Sequence, residues 1–278
     1  MNHNQILKIL KQEMAAATGC TEPVAIAYAS AKARAVLGKK PVRAQVKVSC
    51  NILKNAMGVG IPGTDMAGLE MAAALGITGG DSEAILEVLH SITPKQVEEA
   101  RLFAGTQVRV ERKDTPKKLY IEVILETEDD MSAVIIEDSH TNITRIIHGL
   151  TCIYEKGSCE ELPADESDKS ALTVDNIYDF IQNVDTDRLS FLDECIKMNW
   201  AVAQEGLKGR YGLHVGRSIY EDMGEGTAGD DIRNYAIAVT AAAADARMAG
   251  CAMSVGNDGV RQRKSGLNSH IAGYCSCL

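Results

Sequence analysis

Cysteine, asparagine, lysine and histidine side chains carry most of the candidate chemistry in this chain. The sharpest group is Gly19-Cys20-Thr21-Glu22-Pro23, set between two stretches of helical spacing. Pro23 suits a first helical turn, where its missing N–H costs nothing, and Thr21 or Glu22 can cap that turn. Cys20 then lies beside unpaired N–H donors and a positive dipole end. That environment favours thiolate over thiol, as a nucleophile or metal ligand requires. The alternative is a small buried residue at a helix–helix turn. A second group is the run from Asn51 to Thr64. Gly58, Gly60 and Gly63 formally match G-x-G-x-x-G, but they do not directly follow a strand, and Pro62 removes an N–H that a pyrophosphate would use. The run reads instead as a polar loop. Asn51, Lys54 and Asn55 could hold a small carboxylate there, ahead of a helix N-terminus at Thr64-Asp65; the alternative is a solvated loop whose glycines serve turns. Third, Ser139-His140-Thr141-Asn142 reads as a turn between strands, in which His140 could move a proton near neutral pH.

Two further groups read as structural. Glycines at 206, 209, 212 and 216 are costly inside a helix, so they imply helix ends or close backbone approach. Asp245 and Arg247 interrupt an Ala-rich helix, and a salt bridge at the core edge accounts for them. Paired C-x-x-C motifs, H-E-x-x-H and a Walker loop are all lacking.

The elements that must position these residues follow from periodicity. Helical spacing covers residues 4–17, then a helix from Pro23 to about Leu37 stopped by Gly38. Residues 42–50 alternate as a strand. Helices are expected at Asp65–Leu75, at 82–92 capped by Asp81, and from Thr93-Pro94 to about Phe103. The period then changes to two, with strands at 106–112, 118–127, 131–137 and 143–154, an antiparallel meander. Cys159 to Ser170 is the best linker. Helices return at 173–183, about 187–206 and 229–252, the last with four alanines, Ala241 to Ala244, that imply a closely packed neighbour. Helices and strands are segregated, so the fold class is α+β: Ala-rich helices packed with a mostly antiparallel sheet in the middle of the chain.

The 278 residues carry 29 Lys plus Arg against 38 Asp plus Glu, a net charge of −9. That balance excludes nucleic acid and anionic membrane as expected partners. No apolar run reaches the ~18 residues of a membrane span, and the charged N-terminus is not a secretory signal. A cytoplasmic protein is expected. Its eight Cys are too irregularly spaced for a disulfide framework. A homodimer is a reasonable expectation for a cytoplasmic chain of this kind.

Gly19 to Pro23 and Asn51 to Thr64 resemble the start of the iron–sulfur L-cysteine desulfidase family, related to the α chain of bacterial iron–sulfur L-serine dehydratases. Further matches follow in order: Asp65-Met66-Ala67-Gly68, Ala72 to Gly76, Ser139 to Ile143, Gln204-Glu205-Gly206 and Asp245 to Met248. The resemblance spans about Met1 to Met253. It implies a catalytic domain whose N-terminal portion is residues 1–253, and a [4Fe–4S] cluster acting as Lewis acid, without pyridoxal phosphate. The implied reaction is β-elimination from L-cysteine to pyruvate, ammonia and sulfide, with L-serine as the alternative substrate. A non-catalytic remnant that binds a small molecule is the competing reading. Cys20 matches the first cluster ligand. His140, Lys54 and Glu22 become candidates for proton transfer, and Asn51, Asn55, Thr64, Thr141, Asn142 and Arg247 for holding the amino acid substrate.

The family continues past the Arg247-Met248 motif with a Gly/Ser/Asn-rich loop, an apolar run and the remaining cluster cysteines. Here the chain turns basic and unpatterned. Suitable synonymous codons for Val260 to Cys277, read one base further on, give Ser-Gly from Val260-Arg261. Ser-Gly-Asn-Gln-Gly and then Leu-Thr-Ala-Thr-Leu-Pro-Val-Ile-Val follow. The expectation is that residues 254–278 are a frameshifted tail. Little or no activity and an exposed apolar face on the 229–252 helix follow from it.

Overall fold

A computed structural model describes residues 3–157, 172–223, 232–251 and 253–257. The linker expected at Cys159–Ser170 lies outside them, as do residues 258–278. The first helix, α1 (His3–Glu13), ends four residues short of its expected limit, because Ala15–Thr18 form a strand, β1. Its partner is β8 (Ser254–Asn257), paired antiparallel at the far end of the chain. The beginning of the expected tail therefore joins the fold.

Helix α2 (Thr21–Leu37) runs as the periodicity predicts and is closed by Gly38. Almost every side chain over its first three turns is buried, Val24 through Ala31 included. That burial explains its alanines: small side chains let sheet and helices approach from several sides at once. The main sheet takes the order β3-β2-β4-β5-β6-β7, from β2 (Arg43–Val48), β3 (Val108–Arg112), β4 (Tyr120–Glu126), β5 (Met131–Glu137), β6 (Ile143–His148) and β7 (Thr151–Glu155). The antiparallel meander runs β4 to β7; its expected first strand, 106–112, does not pair with 118–127 but lies as β3 parallel to β2, which takes that place beside β4. The single strand expected at 143–154 is two, turned at Gly149. Val46, Val48, Ile121, Val123, Leu125, Val134 and Ile136 fill the face beneath α2. Ser132 Oγ donates to Ala33 O at 2.8 Å in that interior, tying β5 to α2. The fold is α+β.

Three helix expectations change. Asn51–Ala56 is not loop: Ser49 caps a helix, α3 (Cys50–Ala56), by accepting from Ile52 N–H and donating to Lys118 O at 2.7 Å. Ile52 and Ala56, one turn apart, are its buried stripe. Helix α4 (Leu69–Gly79) begins four residues later than expected, because Thr64 Oγ donates to Ile61 O at 2.9 Å and accepts from Met66 N–H at 3.2 Å, folding 61–66 into a turn. Residues 82–92 hold only a short 3₁₀ turn, Ile85–Glu87. There Asp81 Oδ1 binds the nearby Glu83 N–H, and Asp81 N–H closes onto Val88 O at 2.9 Å. Helix α5 (Pro94–Gln107) starts with the full capping box Thr93–Gln96.

Beyond the sheet, α6 (Val174–Asn183) packs Phe180 on Ile6 and Leu7 of α1. Helices α7 (Ser190–Leu207), α8 (Val215–Asp222) and α9 (Ile232–Met248) form a bundle. A Cβ added at Gly206 would stand 1.9 Å from Ala242 O. The glycines and the alanine run therefore answer each other as close backbone approach.

Candidate functional site

Cys20 occupies the N-cap position of α2. Its Sγ donates to Glu22 Oε2 at 3.1 Å, and Thr21 Oγ1 donates to the same oxygen at 3.3 Å. Asn55 Nδ2, delivered by α3, donates to Glu22 Oε1 at 3.2 Å. His140 Nε2 stands 3.9 Å from Glu22 Oε1. Both acid and imidazole are inside the protein, with side chains only 8% and 2% exposed. A helix N-terminus, a short helix and a β5–β6 turn thus converge on one carboxylate.

The electrostatics differ from the expected thiolate. Burial, then the adjacent Glu22 carboxylate and the hydrogen bond to it, push the Cys20 thiol from 9.0 up to about 12. The Arg247 charge pulls the other way and is outweighed. Dipole stabilisation of a sulfur anion is a fraction of a kcal/mol to about 2, less than desolvation beside a fixed negative charge. For Glu22, burial acts upward. The Cys20 donor, the His140 charge, its own backbone N–H and Asn55 overcome it and hold the carboxyl below its usual range. The cluster is therefore an ionised carboxylate facing a protonated thiol.

The surrounding loop is rigidly joined. Gly60 N–H donates to Met248 O at 2.8 Å and Gly63 N–H to Gly250 O at 3.0 Å. A Cβ at Gly60 would meet the Ala249 carbonyl carbon at 2.5 Å. Gly60 and Gly63 are the contact between this loop and the end of α9, a packing role. The loop also abuts the Cys20 turn through Pro62, which a Cβ on Gly19 would touch at 2.5 Å.

Other candidates are placed differently. Asn51 and Lys54 are exposed on α3, and among the described residues neither joins the hydrogen bonds on Glu22. Asn55 holds the carboxylate rather than projecting freely. Thr64 is committed to its turn. Asn142 shapes the β5–β6 connection: Nδ2 donates to Glu137 O at 2.8 Å and Oδ1 accepts from Lys156 at 2.8 Å. Thr141 is half-buried beside it. These bonds fold the turn inward and bury His140. Asp245 does not pair with Arg247. Its Oδ2 accepts from Gly216 N–H at 3.0 Å, capping α8. Thr21 was legible only as a cap, and Ser49, which orients α3, gave no signal beyond its capping residue type.

The fold and site define an α+β protein with a buried glutamate–histidine pair beside a half-buried cysteine at a helix N-terminus. The chain is similar to proteins called UPF0597 protein. It is 40% identical to one from Dichelobacter nodosus over 267 residues, covering 92% of this chain and 61% of that one. It is 40% identical to one from Aeromonas hydrophila, with 91% and 60% covered, and 42% identical to one from Clostridium perfringens, with 91% and 61% covered. The chain thus spans about three-fifths of the length of these relatives. No family model and no solved structure matches it.

Proposed function

We propose that this chain carries the proton-handling part of a carbon–sulfur lyase site acting on L-cysteine. The observation that supports it is the buried Glu22 carboxylate, ionised, fixed by three donors and 3.9 Å from His140. Glu22 takes the α-proton, the electron pair forms the Cα=Cβ bond, and the Cβ–S bond breaks. Hydrosulfide leaves, and His140, the imidazole beside Glu22, is the group suited to hand it a proton. The resulting 2-aminoacrylate tautomerises to the imine, and water releases ammonia and pyruvate. Arg247, whose charge reaches Cys20, is the group suited to the substrate carboxylate.

The [4Fe–4S] cluster implied by the resemblance does not fit this donor set. Such clusters are held by several thiolates. Here Cys20 is one thiol, and it keeps its proton in a hydrogen bond to Glu22. Among the described residues, no three His, Cys, Asp or Glu side chains group to hold a metal ion. The chain by itself is therefore assigned binding and little turnover, and the same deficit favours the second reading, a binding remnant without catalysis.

The test is anaerobic. The purified full chain is treated with iron and sulfide, and sulfide and pyruvate release is followed with L-cysteine and, in parallel, L-serine. Binding is measured by calorimetry. The expected result is L-cysteine binding that is lost in Glu22→Gln and His140→Ala, with turnover near blank. Binding of neither amino acid overturns the lyase-site reading. A brown, active preparation overturns the argument from the donor set.

A further inference from the structure

Arg247 sits half-buried in the last turn of α9. Among the described residues, no carboxylate and no carbonyl holds its guanidinium. The head is therefore aimed by the backbone beneath it, and that backbone is fixed from several sides. Gly250, at φ 86°, closes α9 with a Schellman turn, in which Cys251 N–H donates to Ala246 O at 3.0 Å. Met248 O, left over by the helix end, accepts from Gly60 N–H, and Gly250 O accepts from Gly63 N–H. Further on, Ser254 of β8 lies opposite Thr18 of β1, and β1 runs directly into Gly19 and Cys20. The loop that holds the helix end bears on the same turn through Pro62 and Gly19. The chain just past Arg247 is thus tied to two segments that adjoin the Cys20 turn.

Side chains are excluded from this junction. A Cβ on Gly250 would stand 2.8 Å from Thr64 O and 2.9 Å from Ile61 O, and one on Gly60 would stand 2.5 Å from both the Ala249 carbonyl carbon and Gly250 N. These are backbone atoms, which cannot swing aside as a side-chain end can. We propose that Gly60 and Gly250 are positioning residues for a carboxylate clamp: their junction fixes the Arg247 guanidinium beside Cys20 and Glu22, where it takes the α-carboxylate of the amino acid. The ligand's identity rests on the lyase-site reading above; the construction of the clamp does not. A guanidinium meets a carboxylate through two parallel N–H bonds, so its plane and its distance both matter. A cation is needed at this place, because the ionised Glu22 repels a second carboxylate. The Arg247 charge does act on Cys20. A displacement of about 1 Å at such a group costs up to about a hundredfold.

Calorimetry on the purified full chain compares L-cysteine with cysteamine, which keeps the thiol and the amine but lacks the carboxylate. The wild type is expected to favour L-cysteine about tenfold or more, the worth of hydrogen bonds to a charged group. Arg247→Gln removes that preference by weakening L-cysteine alone, and Arg247→Lys recovers part of it. Gly60→Ala and Gly250→Ala remove most of it with Arg247 intact and cysteamine binding unchanged. Pro62→Ala slackens the junction without a clash and narrows the preference severalfold, so it serves where the alanine variants fail to fold. Gly105→Ala, in open space on α5, leaves the preference unchanged. A junction that only packs weakens both ligands in parallel, and that result overturns the proposal. So does a preference retained in a folded Gly60→Ala or Gly250→Ala, or in Pro62→Ala when neither folds. Equal binding of both ligands by the wild type overturns it as well. Binding of neither removes the lyase-site reading and the clamp together, whereas an L-cysteine preference indifferent to the junction variants removes this inference alone.

Discussion

Alkylation of Cys20 in the metal-free chain tests the site's electrostatics directly. A thiolate is the reacting form, so moving the thiol from 9.0 to about 12 lowers the thiolate fraction near neutral pH about a thousandfold. A more basic thiolate is also a better nucleophile, by a factor of about 16 to 32 over three units at a Brønsted slope of 0.4–0.5. The two combine to a rate about 30 to 60 times below that of an ordinary thiol, before steric shielding. Shielding scales the rate but leaves the pH dependence alone, so the profile is the diagnostic. Iodoacetamide labelling followed by peptide mass spectrometry separates Cys20 from the exposed Cys50 and Cys152. The Cys20 rate should climb about tenfold per pH unit well past pH 9, where an ordinary thiol levels off. Glu22→Gln removes the neighbouring charge and shifts the profile to lower pH. A Cys20 rate that levels near pH 9 or below, or a profile indifferent to Glu22→Gln, would refute the reasoning.

Gly206→Ala separates close packing from helix propensity. Propensity alone predicts a gain of about 1 kcal/mol, whereas the 1.9 Å overlap with Ala242 O predicts a net loss of about 1–3 kcal/mol in urea unfolding; an equal or more stable variant contradicts the packing. Because the Glu22 carboxyl is held below its ordinary 4.5, its share of stability is full above that value and lost as pH falls through the lower folded one. The stability gap between wild type and Glu22→Gln should therefore narrow in acid melts below about pH 4.5, and a constant gap counts against the depressed carboxyl. Ser132→Ala should cost about 0.5–1.5 kcal/mol by removing the hydroxyl's bond to the Ala33 carbonyl, which ties β5 to α2, read from the shift in denaturation midpoint. Asp245→Ala should cost about 1 kcal/mol by uncapping α8 and leave the Cys20 labelling profile unchanged.

Local patterns carried much of this architecture. Alternation in 118–127 depends on one strand face meeting the core, and the helix stopped at Gly38 depends on a neighbouring residue, so both are legible in a window of ten residues. Thr93-Pro94 likewise announced a capped helix. Short or distant features were not legible. Cys50–Ala56 is too brief for a period to show, and Ala15–Thr18 is a strand only because Ser254–Asn257 reaches it from the other end of the chain.

The candidate site divides along the same line. Residue types and spacing picked out Cys20, Asn55 and His140 as chemistry-bearing, since those side chains donate, accept or ligate wherever they lie, while Glu22 read as a cap and became a proton-transfer candidate only through the resemblance. Only tertiary structure decided their roles. It buried His140, which sequence placed only in a turn between strands, and aimed Asn55 at a carboxylate instead of a ligand. It also set the thiol of Cys20 against the Glu22 charge, where the desolvation of a packed interior outweighs the helix dipole. Protonation state is a property of surroundings, and those surroundings are assembled from segments more than a hundred residues apart.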